Sequence, residues 1–208
     1  MGRRETGPCQ AVHRTIVVVD VSGYGDARRT SGHRLVLRQV LYQALRRAFT
    51  DSGVPWKDCR HVDCGDGVLV LVPPGIPKGA IAASLPHALV RRLERHNAGH
   101  RTEEQLRLRM ALHAGEVVHD EYGVTAPSIN HAFRLLEAAQ VKAALLSSPT
   151  PLALITSAWF HEEVVRQTPS IDAAAFRPVE VAVKETYAIG WVTLPGAAAG
   201  SQAAPRQA

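Results

Sequence analysis

The chain has 208 residues, of which 46% are hydrophobic and 21% charged, and its formal net charge is +5 at pH 7. These values are typical of a globular protein with one domain, and the mild positive charge fits anionic ligands, from nucleotide phosphates to nucleic acid. No run of about 18 apolar residues indicates a membrane span, and the charged first ten residues lack the apolar stretch of a secretory signal. Three irregularly spaced cysteines (Cys9, Cys59 and Cys64) favour a reducing compartment, so we expect a cytoplasmic protein.

The first half of the chain predicts a strand, a helix and a hairpin. Residues 1–13 are polar and irregular, which indicates a flexible arm, and residues 14–20 (RTIVVVD) have the continuous apolar pattern of a buried strand. After a Gly-containing loop, apolar residues at helical spacing predict a helix over 33–52. Residues 59–64 and 68–72 then predict two strands joined by the turn GDG.

The second half alternates helices with strands. Its predicted elements are a helix over 78–97, a strand over 106–113 followed by a second hairpin, a helix over 127–146, a strand over 152–156, a short helix, a strand pair over 177–193, and a disordered Ala/Gly/Pro-rich tail over 195–208. Hairpins mixed with helical crossovers predict an α+β fold, a ferredoxin-like mixed sheet with helices packed on it. The predicted domain covers residues 14–194.

Two carboxylates occupy positions that packing does not explain. Asp20 ends the first strand, and Asp66 lies in the GDG turn. In a ferredoxin-like core the first and third strands are neighbours, so the two side chains are expected to lie side by side. Mg²⁺ favours one or two carboxylates together with phosphate oxygens. Ordinary turn roles remain the alternative for each acid alone.

Two further groups of residues suit an anionic substrate. Gly23 and Gly25 follow Asp20 and free the backbone to bring N–H groups close to an anion. Asn130 and Arg134 are four residues apart on a predicted helix and share one face, where an amide and a guanidinium suit a ring oxygen and a phosphoryl charge. A solvated polar face is the alternative for this pair.

Taken together, these stretches resemble the catalytic domain of class III nucleotidyl cyclases, the adenylate and guanylate cyclase homology domain. The resemblance runs from about residue 14 to residue 193, and four motifs carry it in order: VVVDVSGYG, CGDGVLVLV, LRMALHAGEVV and INHAFRL. Each motif alone is weak, but four in the same order are fairly specific.

The resemblance implies a function and a set of site residues. The expected reaction converts a nucleoside triphosphate to a 3′,5′-cyclic nucleotide and pyrophosphate at a homodimer interface. The implied roles are two Mg²⁺ or Mn²⁺ ions on Asp20 and Asp66, phosphate binding by Gly23, Tyr24, Gly25 and Lys184, and ribose positioning and transition-state stabilisation by Asn130 and Arg134. The match of Lys184 is loose, because the glycine expected after it is Glu185.

The positions that read the base depart from the family pattern. Val62 replaces the Lys or Glu of purine-specific members, Gly123 replaces a polar residue, and Ala126 replaces a glycine. The base is therefore expected to be unusual, for instance a pyrimidine as in bacterial antiphage cyclases, or base selection has been lost. Neighbours that could read another base edge are Arg60, His61, Asp63 and Cys64.

Other functions were weighed against this one. A non-catalytic cyclase-like module that binds a nucleotide or a partner protein remains the main alternative. Zinc at Cys59, His61, Asp63 and Cys64 is disfavoured because the spacing fits no common zinc motif. Binding of nucleic acid is also disfavoured, since the basic stretch near residues 91–100 lacks interleaved aromatic residues. No sensor pattern occurs in the sequence, so any regulation is expected from a partner, from the substrate level or from a separately encoded effector.

Overall fold

The computed structural model describes residues 10–196. Most of the predicted arm, most of the predicted tail and Cys9 lie outside these residues. The strands are β1 (Val12–Val21), β2 (Arg60–Asp63), β3 (Gly67–Val72), β4 (Leu108–His119), β5 (Val124–Thr125), β6 (Leu152–Ser157), β7 (Arg177–Val183) and β8 (Thr186–Thr193). The helices are α1 (Ser31–Asp51), α2 (Lys78–Asn97), α3 (Pro127–Glu137), α4 (Ala139–Leu146) and the short α5 (Ala158–Phe160), which continues as a π-helical turn (His161–Val165).

The strands form one mixed sheet, which confirms the predicted α+β class. Seven of them follow the order β2-β3-β1-β4-β6-β8-β7, and β5 pairs with the end of β4. The β4–β6 pair is parallel and the other pairs are antiparallel. The first and third strands are neighbours, as predicted for a ferredoxin-like core.

The sheet separates two apolar cores, and the alternation of side chains along β1 shows which residues face which core. Val17 and Val19 pack with residues of α1 and α2, whereas Ile16 and Val18 pack with residues of α3 and α4. Because successive strand residues point to opposite faces, Asp20 lies on the α3/α4 face of the sheet. The end of β1 therefore presents its carboxylate on the same side as α3.

The prediction of a single helix over 127–146 is wrong. The chain is extended at Ala138, with ψ of 134°, and this residue separates α3 from α4. Ile129, Ala132 and Leu136 set the buried stripe of α3, and a continuous helix would next bury positions near 140 and 143. The residues that are buried instead are Val141, Ala144 and Leu145. The break shifts the helical phase so that both segments pack against the sheet.

Smaller differences affect the ends of strands. β1 begins at Val12, two residues before the predicted strand, and β4 continues through the predicted hairpin region to His119. The hairpin turn accordingly lies at 120–123, and β5 has only two residues. Within residues 10–196, none of the helices combines the length and the apolar character that a membrane crossing requires.

Candidate active site

The two predicted metal carboxylates lie on adjacent chain segments. Asp20 is paired in register with Gly67 on β3, and the N–H of Val21 donates to the carbonyl of Asp66 at 2.9 Å. Gly67 is required for this approach, because a Cβ there would lie 2.4 Å from the Val19 carbonyl oxygen. The register of β1 with β3 therefore places Asp20 and the turn that carries Asp66 at the same end of the sheet.

Asp20 is buried against a guanidinium that the sequence analysis missed. Arg109 is its cross-strand partner on β4 and donates from Nε to Oδ1 at 2.8 Å and from Nη2 to Oδ2 at 2.5 Å. The two side chains are only 18% and 14% exposed. Burial nevertheless raises the pKa of Asp20 to about 6, against the opposing effect of Arg109 and with a smaller contribution from the charge of Asp66.

The donor set suits a divalent ion that is bound together with a polyphosphate. The raised pKa of Asp20 shows that one guanidinium does not offset the burial of this carboxylate. In the part of the chain that the structure describes, no three His, Cys, Asp or Glu side chains gather into a metal site. Both oxygens of Asp20 accept from Arg109, so a cation on Asp20 and Asp66 would displace this guanidinium and take its remaining ligands from water and phosphate, which is the usual preference of Mg²⁺.

The loop after β1, residues 22–26, lies between the carboxylates and α1. Gly23 has φ of +67°, a conformation that favours glycine, and Tyr24 packs against the α1/α2 core. A few residues after the loop, Thr30 caps the start of α1, because the Thr30 hydroxyl accepts from the N–H of His33. Two turn hydrogen bonds close the loop, from Tyr24 N–H to Val21 and from Asp26 N–H to Gly23.

Arg134 contacts the β7–β8 turn that carries Lys184, through the neighbouring residue Glu185. Asn130 is exposed near the start of α3, and Arg134, one turn later, donates from Nη2 to Glu185 Oε1 at 3.0 Å. Its Nη1 also lies 3.9 Å from Glu137. Glu185 and Lys184 form the two-residue turn between β7 and β8, in which Lys184 has φ of +51°. The guanidinium of Arg134 thus points to the turn that carries Lys184.

The two groups of site residues are separate within one chain. Asp20 contacts Arg109, and Arg134 contacts Glu185 and Glu137. Among residues 10–196, no hydrogen bond or ion pair joins Arg134 to either predicted metal carboxylate. Among these residues, the contacts of one chain therefore do not connect the two groups.

The predicted base-binding positions have mixed environments. Val62 on β2 is half-buried against the α3/α4-side core, whereas Arg60 and Cys64 are exposed. Gly123 lies in the β4–β5 turn, where its N–H donates to Asp120 Oδ1 at 2.8 Å. These positions present an apolar side chain and a glycine rather than a fixed polar partner for a purine.

Asp63 is already bound within the chain. Its carboxylate pairs with Arg38 and accepts from the hydroxyl of Tyr42 at 2.7 Å and from the N–H of Gly65 at 2.8 Å. The hydrogen bond from Arg38 is the largest effect that holds the pKa of Asp63 well below its usual range. We infer that Asp63 fixes the β2–β3 turn and is not free to read a base.

Arg109 could have been found only with knowledge of strand pairing. In the stretch LRLRMALH it looks like one of two arginines on an exposed strand face. The antiparallel register of β1 with β4 places it opposite Asp20, on the side that Ala111 and His113 share. Strand alternation indicates only that Arg109 lies on the face of β4 opposite to Leu108 and Met110, and not which residue it meets.

The fold is that of adenylate and guanylate cyclase catalytic domains. An adenylate/guanylate cyclase/hydrolase from Silicibacter pomeroyi is similar with a TM-score of 0.61 and 17% identity, over 90% of this chain and 99% of that chain. The catalytic core of a rhodopsin-guanylyl cyclase with converted specificity, in complex with ATPαS, gives 0.60 and 15%, over 90% and 99%. The guanylate cyclase domain of RhGC from Catenaria anguillulae, in complex with GTP, gives 0.56 and 16%, over 88% and 97%. No protein-family model matches the chain, and no curated protein matches it.

Proposed function

We propose that this protein is a nucleotidyl cyclase, which converts a nucleoside triphosphate to a 3′,5′-cyclic nucleotide and pyrophosphate. The observation that carries the proposal is the pair of carboxylates at the end of β1 and in the β2–β3 turn, held together by the Asp20–Gly67 register. Asp20 is buried and its pKa is raised to about 6, which is the condition of a group that a bound cation stabilises. The fold, shared with cyclase catalytic domains over about 90% of the chain, supports the same reaction.

The roles of the residues follow from their chemistry. Asp20 and Asp66 would hold two Mg²⁺ or Mn²⁺ ions, which lower the pKa of the attacking hydroxyl and neutralise the triphosphate. The backbone of loop 22–26 faces the phosphates, and Asn130 offers an amide for the ribose. Arg134 presents a guanidinium that can spread over the charge developing at the α-phosphate. Lys184 precedes Glu185, the ion-pair partner of Arg134, and would add a further positive charge.

A homodimer is part of the proposal, because the carboxylates and Arg134 do not meet within one chain. A head-to-tail pair of chains with two-fold symmetry would bring the carboxylates of one subunit to α3 of the other and create two equivalent sites. Exposed apolar side chains are available for such contacts, including Tyr122 at the tip of the β4–β5 hairpin, which is 91% exposed.

Complementation between inactive variants tests the dimer. Asp66→Asn and Arg134→Ala proteins are each expected to be inactive, but one site of a mixed dimer contains neither substitution. Random exchange of subunits should then restore about a quarter of the wild-type activity, because half of the dimers are mixed and each has one intact site. An inactive mixture, with subunit exchange shown by native mass spectrometry, would contradict a shared site.

For the base, we propose a pyrimidine. The position that reads a purine in the resembling family is Val62, which is half-buried and apolar, and the second such position is Gly123. Neither side chain offers a hydrogen bond to a purine edge. The proposed setting is the cytoplasm, with a separately encoded effector that responds to the product.

One assay tests the reaction and the base together. The purified dimer is incubated separately with ATP, GTP, CTP and UTP, with Mn²⁺ and then with Mg²⁺, and the products are identified by mass spectrometry. We expect a cyclic pyrimidine nucleotide that is lost in Asp66→Asn. A cyclic purine product would overturn the base assignment alone, and no product from any of the four would overturn the catalytic proposal.

A non-catalytic nucleotide-binding module is the second candidate. It is favoured by the same Val62 and Gly123 positions and by the ion pair of Arg134 with Glu185, which occupies the proposed transition-state group in the free protein. Calorimetric titration with each nucleoside triphosphate separates the candidates, since a module binds without turnover.

A further inference from the structure

Loop 22–26 is held by two arginines that donate to its backbone. Arg29 Nη1 donates to the carbonyl oxygens of Ser22 at 3.2 Å and Gly23 at 2.8 Å. Arg34, on the first turn of α1, donates from Nε to the Tyr24 carbonyl at 3.3 Å and from Nη2 to that of Asp26 at 3.5 Å. Four of the five carbonyl groups of the loop therefore accept from guanidinium groups.

Arg29 also ties the loop to the segment that leads into β4, the strand next to β1. Its Nη2 donates to the carbonyl of Gln105 at 3.1 Å, in the segment just before β4, and the N–H of Ser22 donates to the carbonyl of Arg107 at 2.8 Å. Gln105 is itself anchored, because its Nε2 donates to the carbonyls of Asn97 and His100. Arg29 is thus a cross-link between the loop and a fixed segment.

These contacts determine what the loop can offer to a ligand. The carbonyls are engaged by cations, so their negative ends are turned away from any anion that approaches. Within residues 10–196, the N–H groups of Gly23 and Gly25 have no hydrogen-bond acceptor. Glycine at φ of +67° allows consecutive N–H groups to converge, which is how backbone nests bind phosphate.

We propose that Arg29 is a positioning residue for the polyphosphate: it turns the carbonyls of loop 22–26 inward and leaves the N–H groups of Gly23 and Gly25 free to bind phosphate oxygens. Arg34 supports the same arrangement from α1. The inference rests on the proposed function, since it takes the polyphosphate of a nucleoside triphosphate as the ligand. Arg29 acts through the loop and does not itself contact the substrate.

The neighbouring Arg28 provides a matched control. Its side chain is 73% exposed and pairs only with Asp26, so it carries the same charge one residue away without holding any backbone carbonyl. Arg28→Gln and Arg29→Gln therefore remove equal charge, and only the second removes the cross-link. Arg29→Lys keeps the charge but replaces a fork of donors with one ammonium group.

The test uses inorganic pyrophosphate with Mn²⁺, titrated calorimetrically into the full-length protein. Arg29→Gln is expected to weaken the affinity at least about tenfold, Arg29→Lys by nearly as much, and Arg28→Gln by less than about twofold. Hydrogen exchange of the Tyr24 and Asp26 amides, whose hydrogen bonds close the loop in the free protein, should become faster only in the Arg29 variants. If Arg29→Gln does not fold, Arg34→Gln provides the same readouts with a smaller expected loss.

Three results would overturn the inference. The first is that Arg29→Gln binds pyrophosphate as tightly as the wild type. The second is that Arg29→Lys keeps full affinity, which would indicate simple charge attraction. The third is that the wild type does not bind pyrophosphate. The cyclase assay runs in parallel and is independent of these results. If the wild type forms a cyclic product but binds pyrophosphate equally well without Arg29, only the positioning role is refuted. If pyrophosphate binding depends on Arg29 but no cyclic product forms, the positioning role is supported and only catalysis is refuted.

Discussion

The proposed site has a sheet half, with Asp20 and Asp66, and a helix half, with Asn130 and Arg134. Each half contains an ion pair in the free protein, but the two ion pairs join different parts of the fold. Asp20 and Arg109 are cross-strand partners with 18% and 14% of their side chains exposed, so the strand register determines their contact. Arg134 and Glu185 join a helix to a hairpin turn, and the side chain of Glu185 is 76% exposed. The first pair is part of the sheet, whereas the second can open without disturbing a core. We infer that the sheet half is preformed and that the helix half adjusts when the substrate binds.

The largest effect is expected from the sheet half, at Asp66. Asp66→Asn removes one of the two carboxylates proposed to hold the divalent ions. Because the ions would stabilise the transition state by several kcal/mol, kcat should fall at least about 1,000-fold. Because Asp66 is exposed in a turn, the melting temperature should stay within about 2 °C. Product formation by mass spectrometry and a thermal melt measure both. Retention of more than a tenth of the activity would remove Asp66 from the site.

The helix half should give the next largest effect. Arg134→Ala is expected to lower kcat about 100-fold, the usual result of removing one group that stabilises transition-state charge. Arg134→Lys should recover little of this loss, because an ammonium group cannot spread over two phosphate oxygens. Steady-state kinetics with the preferred nucleotide test this, and Arg166→Ala is the control, since Arg166 pairs only with Glu162 on the surface. Equal losses in the two alanine variants would mean that Arg134 has no specific role.

The sequence predicted the sheet half of this comparison better than its surroundings. The continuous apolar run of β1 and the GDG turn were sufficient to infer that the first and third strands are neighbours, because few topologies connect a β-α-β-β unit. Arg109 was not predicted, since its partner is 89 residues away and depends on the register of β1 with β4. Long-range pairing of this kind leaves no local pattern.

The helix half was predicted less completely. Spacing placed Asn130 and Arg134 on one helical face, and Ala132, Leu135 and Leu136 are buried on the other. The break at Ala138 was missed, because alanine favours a helix and only the packing of Val141, Ala144 and Leu145 on the sheet requires the change of phase. The pairing of Arg134 with Glu185 was also missed, since the side chain of a turn residue is positioned by tertiary contacts.

Stability as a function of pH should distinguish the two halves. The pKa of Asp20 is raised to about 6 by burial, so the metal-free folded protein binds a proton that the unfolded chain releases at lower pH. This group therefore makes the free energy of unfolding fall by roughly 2–3 kcal/mol as pH rises from about 4 to 6. The pKa of Glu185 is lowered by hydrogen bonds from backbone and Arg134, so its contribution has the opposite sign and is lost as pH falls.

Urea unfolding in EDTA at several pH values between 4 and 7 measures these slopes. The free energy of unfolding of the wild type minus that of Asp20→Asn should decline with rising pH, and Asp66→Asn should show a smaller decline than the wild type, because the charge of Asp66 helps to raise the pKa of Asp20. Identical pH dependence in the wild type and Asp20→Asn would mean that the Asp20 carboxyl is not perturbed in the folded state.

The smallest effect is expected from Glu185, and it tests directly whether the helix half opens. Glu185→Gln removes the charge that holds Arg134 in the free protein, so the guanidinium no longer has to leave an ion pair when the triphosphate arrives. Because the carboxylate of this pair is exposed, the pair contributes little to stability, and the substitution should lower KM by about two- to fivefold with little change in kcat. Glu162→Gln, which releases Arg166 from a comparable surface pair, is the control and should leave KM unchanged. A higher KM in Glu185→Gln would instead show that Glu185 orients Arg134 for the substrate, and both halves of the site would then be preformed.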